Sequence, residues 1–243
     1  MFSYRLRLMK SVFLFVLFSI SSFCFTHEVT RVYDFSYLRE FSYHGRGNIE
    51  IKQGEKDRLT ITTDSELIDH IHISDHRGVL YIHPKGEFFI GHFPGTIKGT
   101  LEVKNLSKIN LRGSVSVDID KLQGDQLMIN MELEGASVIE GYLDFHRIAV
   151  IIEGSSEALL KGNVIEQIIY IDGAGVYLGQ NLTSDYAKVY VKGAGRAIVN
   201  TTNELDASVV GYGHIHYTKP KPIILKQKVR GEGEITPYQE GMP

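Results

Sequence analysis

The 243-residue chain contains no tryptophan, one cysteine and six prolines. A single cysteine, Cys24, cannot form an intramolecular disulfide framework, so the fold must be held by core burial. No segment carries an apolar stripe of helical period over a dozen residues, which argues against helical and α/β architectures. No apolar run reaches the ~20 residues that a membrane-spanning helix needs. Positive charge is not in excess either: the formal net charge is −3, which speaks against nucleic acid as a partner.

The longest apolar run, from Val12 to Ile20, follows Arg5, Arg7 and Lys10 and precedes small or polar residues from Ser21 to Thr26. This order of charge, apolar core and small residues predicts a secretory signal peptide over residues 1–26, cleaved after Cys24 or after Thr26. Phe23 occupies the place where an acylated lipoprotein cysteine wants a small neighbour. Cleavage removes three positive charges and the only cysteine and leaves a net charge of −6. The expected location is the periplasm, the outer membrane surface or the extracellular space. Export without disulfides points to a bacterial envelope, where the Asn-x-Ser/Thr triplets at Asn105, Asn181 and Asn200 are chance matches.

Glycine, by contrast, is frequent and periodic. Seven short segments repeat one pattern: LRGSVSV, LEGASVI, IEGSSEA, IDGAGVY, VKGAGRA, VVGYGHI and VRGEGEI. Their leading glycines are Gly113, Gly135, Gly154, Gly173, Gly193, Gly211 and Gly231, separated by 22, 19, 19, 20, 18 and 20 residues. Residues before each turn alternate apolar and polar. Ile109 and Leu111, Met131 and Leu133, Val150 and Ile152, Ile169 and Ile171, Val189 and Val191, and Ala207 and Val209 share the buried parity. A hairpin meander would not return the same turn at the same phase every twenty or so residues. The expected fold is therefore all-β: a parallel β-solenoid, or β-helix-like stack, with coils of 18–22 residues. Glycine suits a sharp corner because it tolerates positive φ. Ser114, Ala136, Ser155, Ala174 and Ala194 are read as fitting a crowded corner.

Upstream, RVYDF, NIEIKQG, RLTITTD, HIHISD, VLYIHP and TLEVKN alternate with period two and read as strands that form the first coils or a cap. Gly45-Arg46-Gly47 resembles an eighth, outlying turn, and Gly86–Gly99 reads as a loop. The expected organisation is a signal peptide over 1–26, an N-terminal strand segment over 27–104, glycine-turn coils over 105–238 and a tail over 239–243.

Several constellations are candidates for chemistry. Glu134, Glu153 and Asp172 each precede a leading glycine, so a stacked register would align three outward carboxylates. Such a column is a weak metal candidate at most, and otherwise a solvated face. Tyr170 and Tyr190 fall on the same outward face beside Asp172 and Lys192, where aromatics stack on sugar rings, anchor a protein, or simply stabilise neighbouring strands. His70, His72, His76 and His83 are close in sequence, with His70 and His72 on one strand face; His214 and His216 form a second pair. Surface histidines are the plainer reading of both groups. Ser155 and Ser156 lack the setting of a nucleophile elbow. The Gly-x-Gly turns lead into strands rather than helices, which excludes nucleotide binding of the dinucleotide type. No cofactor is expected. The basic segment TKPKPIILKQKVR is read as a coil that discourages end-to-end growth.

The turns GSV, GAS, GSS, GAG, GAG, GYG and GEG, together with FSYHGRGNIEIKQG, RLTITTD and GVLYIHP upstream, resemble the auto-transporter adhesin, head GIN domain family of exported bacterial proteins. The resemblance covers roughly Arg31 to Thr236, and Tyr212 and Glu232 depart from the usual small residue. It implies a solenoid-like envelope protein of largely unassigned activity. The expected function is non-enzymatic binding of a surface glycan or protein through one solenoid face, with Glu134, Glu153, Asp172, Tyr170, Tyr190 and Lys192 as candidates. Two alternatives are a polysaccharide-acting β-helix lyase or hydrolase that uses the outward carboxylates, and a purely structural envelope module.

Overall fold

The computed structural model describes residues 27–85, 96–132 and 135–239; the proposed signal peptide, most of the Gly86–Gly99 segment, Leu133 and Glu134 lie outside them. The strands are β1 (Glu28–Phe35), β2 (Glu40–Gln53), β3 (Asp57–Asp64), β4 (Ile71–His76), β5 (Val79–Pro84), β6 (Ile97–Val103) and β7 (Lys108–Met131). They continue as β8 (Val138–Gly154), β9 (Glu157–Gly173), β10 (Val176–Gly193), β11 (Arg196–Gly211), β12 (His214–Tyr217), β13 (Ile224–Gly231) and β14 (Glu234–Pro237). One 3-10 turn, Ile68–His70, interrupts them. From β7 onward all pairing is parallel, each coil lying on the one before it. The protein is an all-β parallel solenoid.

Strands of 16–24 residues are longer than any straight strand in a domain of this size, because each bends round a corner. Ladder register slips at these bends, between Ile119 and Leu122 and between Leu178 and Asn181. Each coil therefore has two walls. The first runs through Val138–Leu143 in β8 and its stacked equivalents, and the second through Arg147–Gly154. Inward alternation fills the space between them. On the first wall the buried column is Val117, Ile139, Ala158, Tyr177, Ala197 and Ile215; on the second, Met131, Ile152, Ile171, Val191 and Val209. Each fully buried Ile or Val contributes roughly 1.5–3 kcal/mol of transfer free energy. Tyr177 is flanked in its column by two alanines, which leaves room for its ring across the interior. Its hydroxyl donates to Gln167 Oε1 at 2.8 Å, and Gln167 Nε2 donates to Ser184 Oγ at 2.7 Å. Burial raises the Tyr177 hydroxyl well above its ordinary pKa, so it acts as a neutral donor.

The second wall ends in the glycine corner. All seven leading glycines have positive φ, from +87° to +124°. A second constraint acts on them: a Cβ at Gly173 would lie 2.7 Å from the Gly154 carbonyl oxygen, and one at Gly135 would collide with that of Gly113. Backbone bonds continue straight through the corner, Ala174 N–H donating to Gly154 O and Ala194 N–H to Gly173 O, both at 2.8 Å. The crowded atoms are thus the glycines. The residue that follows each one, Ser114, Ala136, Ser155, Ala174 or Ala194, points to solvent, contrary to the sequence reading. That is why Tyr212 and Glu232 are accommodated there.

Upstream, β2 already belongs to the stack. It pairs with β7 in parallel from Glu40–Lys108 to Ile51–Ile119 and places Gly45 on Gly113. The remainder reverses direction: β1 pairs antiparallel with β3 and β3 with β6, while β4 and β5 form an antiparallel hairpin beside β2. Ile97–Gly99, expected in a loop, opens strand β6.

Candidate binding face on the second wall

The outward residues of the second wall form straight columns. One runs Glu153, Asp172, Lys192, Val210 and Arg230; the next runs Ile151, Tyr170, Tyr190, Ser208 and Lys228. Glu153 does lie beside Asp172, but Lys192 follows them, and its ammonium donates to Asp172 Oδ2 at 2.8 Å. Asp172 holds the Lys192 ammonium above its ordinary pKa through that hydrogen bond. Glu134 lies outside the described residues. Continued past the expected carboxylates, the column runs from acid to base, and the Asp172 charge is met by Lys192 of the next coil.

Tyr170 and Tyr190 stack, with ring centroids 5.2 Å apart and planes 7° from parallel. Strand spacing of about 4.8 Å brings equivalent side chains to this separation. The Tyr170 hydroxyl lies 3.5 Å from Asp172 Oδ2, a long contact to the same oxygen that takes the Lys192 ammonium at 2.8 Å. The result is a pre-ordered outward platform: two half-buried rings, a charge pair along one edge, and Ile151 and Ile168 nearby.

The histidines are dispersed. His70 sits in the 3-10 turn rather than on the strand face of His72, His72 packs on His83 at 4.8 Å, and His76 is at the far end of β4. Among the described residues no group of three His, Cys, Asp or Glu side chains is placed to hold a metal ion. His214 and His216 stack with planes 1° apart, yet only His214 reaches the surface; His216 is 5% exposed and its Nδ1 bonds the Thr236 hydroxyl at 3.0 Å. Burial lowers the His216 pKa from its ordinary value. Ser156 is buried and accepts from Ser137 N–H at 3.1 Å, a structural bond at the corner.

A second acidic column escaped the sequence reading. Glu50, Asp118 and Glu140 are consecutive outward residues of the first wall, beside a shallow cavity of about 260 Å³ lined by Asn48, Thr60, Lys98 and Thr100. Each is the fifth residue after a glycine, namely Gly45, Gly113 or Gly135. Counting forward from the turns would have found them.

A family model described as "Putative auto-transporter adhesin, head GIN domain" matches residues 39–220. The chain belongs to this family. Its fold is similar to that of a "putative adhesin" from Bacteroides fragilis NCTC 9343, with a TM-score of 0.80, 24% identity, and coverage of 87% of this chain and 97% of the other. It is also similar to a "putative lipid binding protein" from Parabacteroides distasonis ATCC 8503, with a TM-score of 0.68, 23% identity and the same coverage. A "putative adhesin" from Parabacteroides merdae ATCC 43184 follows at a TM-score of 0.63 and 22% identity, covering 87% of this chain and 96% of that one. At these identities the likeness establishes the fold alone. Among curated proteins none matches the chain.

Proposed function

We propose that this head GIN domain protein is exported and non-enzymatic, and that it binds a surface partner, a glycan or a protein, through the second-wall face around Tyr170, Tyr190, Asp172 and Lys192. The observation that carries this reading is the stacked tyrosine pair, held in register by the strand ladder and still open to solvent at its rim. Aromatic surface that is already ordered loses little entropy on binding. The family's description and its adhesin-named structural relatives point the same way. Asp172 is engaged by Lys192 and Tyr170, which makes it part of the platform rather than a free acid for glycoside cleavage.

The test is an array of immobilised glycans and extracellular-matrix proteins probed with the exported chain and with a Tyr170→Ala, Tyr190→Ala double variant of unchanged circular dichroism. Loss of the wild-type signals in the variant is the expected result. Full retention of those signals would overturn the assignment of this face.

A further inference from the structure

The tyrosine ladder stops at Tyr190. One face of that ring is covered by Tyr170; on the other side the column continues with Ser208 and then Lys228. Serine is too short to cover a phenol ring. With strands about 4.8 Å apart, Tyr190 and Lys228 stand roughly 10 Å from one another across Ser208. This gap admits a single six-membered ring packed on the open face of Tyr190. Asp206 and Val210, the outward neighbours of Ser208 on β11, form its sides.

Charge selects among ring-shaped ligands. Five cations project from β10 and β13 around the gap: Lys188, Lys192, Lys226, Lys228 and Arg230. Lys192 is neutralised by Asp172 and Lys226 by Glu204. Lys188 lies in register with Asp206, whereas Lys228 and Arg230 form no ion pair among the described residues; both stand at the gap although the exported chain as a whole is acidic. A pyranose presents an apolar C–H face for stacking and hydroxyls at its rim for Ser208 Oγ and the Asp206 carboxylate. A carboxylate on that ring answers Lys228 and Arg230.

We infer that the gap between Tyr190 and Lys228 is a subsite for one carboxylated pyranose, a hexuronic acid unit of an acidic polysaccharide. This rests on the reading of the second-wall face as the binding surface and names its ligand class and the residues that select it. Ser208 is the residue that makes room, Tyr190 is the stacking floor, and Lys228 and Arg230 read the acid.

The experiment is calorimetric titration of the exported chain, at low salt, with a galacturonic acid tetramer, a hyaluronan tetramer, and the methyl ester of the first. At least one acidic tetramer should bind, and esterification should weaken binding at least tenfold. Ser208→Tyr adds a third ring to the ladder and fills the gap; it should weaken binding at least tenfold while leaving the melting temperature unchanged or raised. Lys228→Gln should shrink the difference between acid and ester. Equal binding of acid and ester, unaltered binding by Ser208→Tyr, or no binding of either acidic tetramer would each overturn the subsite. If array signals survive Ser208→Tyr but vanish in the double tyrosine variant, the face stands and the subsite falls; if they survive both, the face itself falls.

Discussion

At its N-terminal end the stack is covered by β1, β3 and β6, whose antiparallel pairing keeps Leu59, Ile61 and Leu101 at 0% exposure. At the C-terminal end β13 and β14 each pair on one side only among the described residues, and Val229 is 43% exposed although Val191 and Val209 in its column are at 0%. A parallel coil cannot bury its own inner face, because each one relies on the next. The chain closes one end by reversing direction, which takes it off the glycine period. At the other end it leaves an edge lined by Lys226, Lys228 and Arg230, a charge pattern that discourages strand addition. The edge strand β1 is handled similarly, with Arg58 on Asp34 at 2.6 Å and Arg31 on Asp69 at 3.0 Å.

The difference can be broken at its centre. Ile171→Ala, in the middle of the closed stack, should cost about 2–5 kcal/mol, whereas Val229→Ala at the open end should cost under ~1 kcal/mol. Denaturant titration of both variants checks this, and equal losses would mean that the last coil is covered in solution. Gly173→Val should cost about 1–3 kcal/mol through backbone strain and the Gly154 carbonyl, read as a fall of several degrees in melting temperature. Gly54→Ala, in the reversing region, would push on the Glu102 side chain, whose Oε1 accepts from Lys56 N–H at 3.2 Å, and should cost about 0.5–1.5 kcal/mol, less than Gly173→Val because a side chain can give way where a backbone carbonyl cannot.

A smaller set of contacts holds the reversing region. Asp57 is 3% exposed and accepts from Lys104 N–H at 2.9 Å and Leu38 N–H at 3.3 Å. Asp57→Ala should lower stability by about 1–3 kcal/mol, because it strands those donors. The smallest effect is expected at the other end. His216 has a pKa lowered by burial, so the unfolded chain takes up its proton at a higher pH than the folded one. Stability is then full above the ordinary histidine value of about 6.5 and falls as pH drops through the lowered folded value. Melting curves between about pH 7 and pH 5 should show this loss, with a shallower slope in His216→Gln.

Much of the fold was legible because its signals are local. A glycine that must take positive φ, preceded by apolar alternation, announces a coil wherever it recurs, and Tyr170 and Tyr190 share a column because each lies three residues before such a glycine. The Glu50, Asp118 and Glu140 column was equally countable, in the forward direction. The reversal at β1, β3 and β6 was not, since antiparallel and parallel strands show the same alternation.

The sequence alone determined that the chain coils, where its glycine corners fall and which strand side chains turn inward, because those choices are made within a few residues by backbone sterics and burial. Only the tertiary structure decided how each coil bends between its glycine corners and how the two ends of the stack are treated. Coil lengths vary from 18 to 22 residues, and the register slips at the bends absorb the differences, so phase counted from one glycine holds beside that glycine but cannot be carried across a bend to the next. Close to the glycines Lys192 and Asp172 therefore pair at the positions that counting gives, whereas the antiparallel cover of β1, β3 and β6 and the edge at β13 follow from long-range pairing that no local pattern announces.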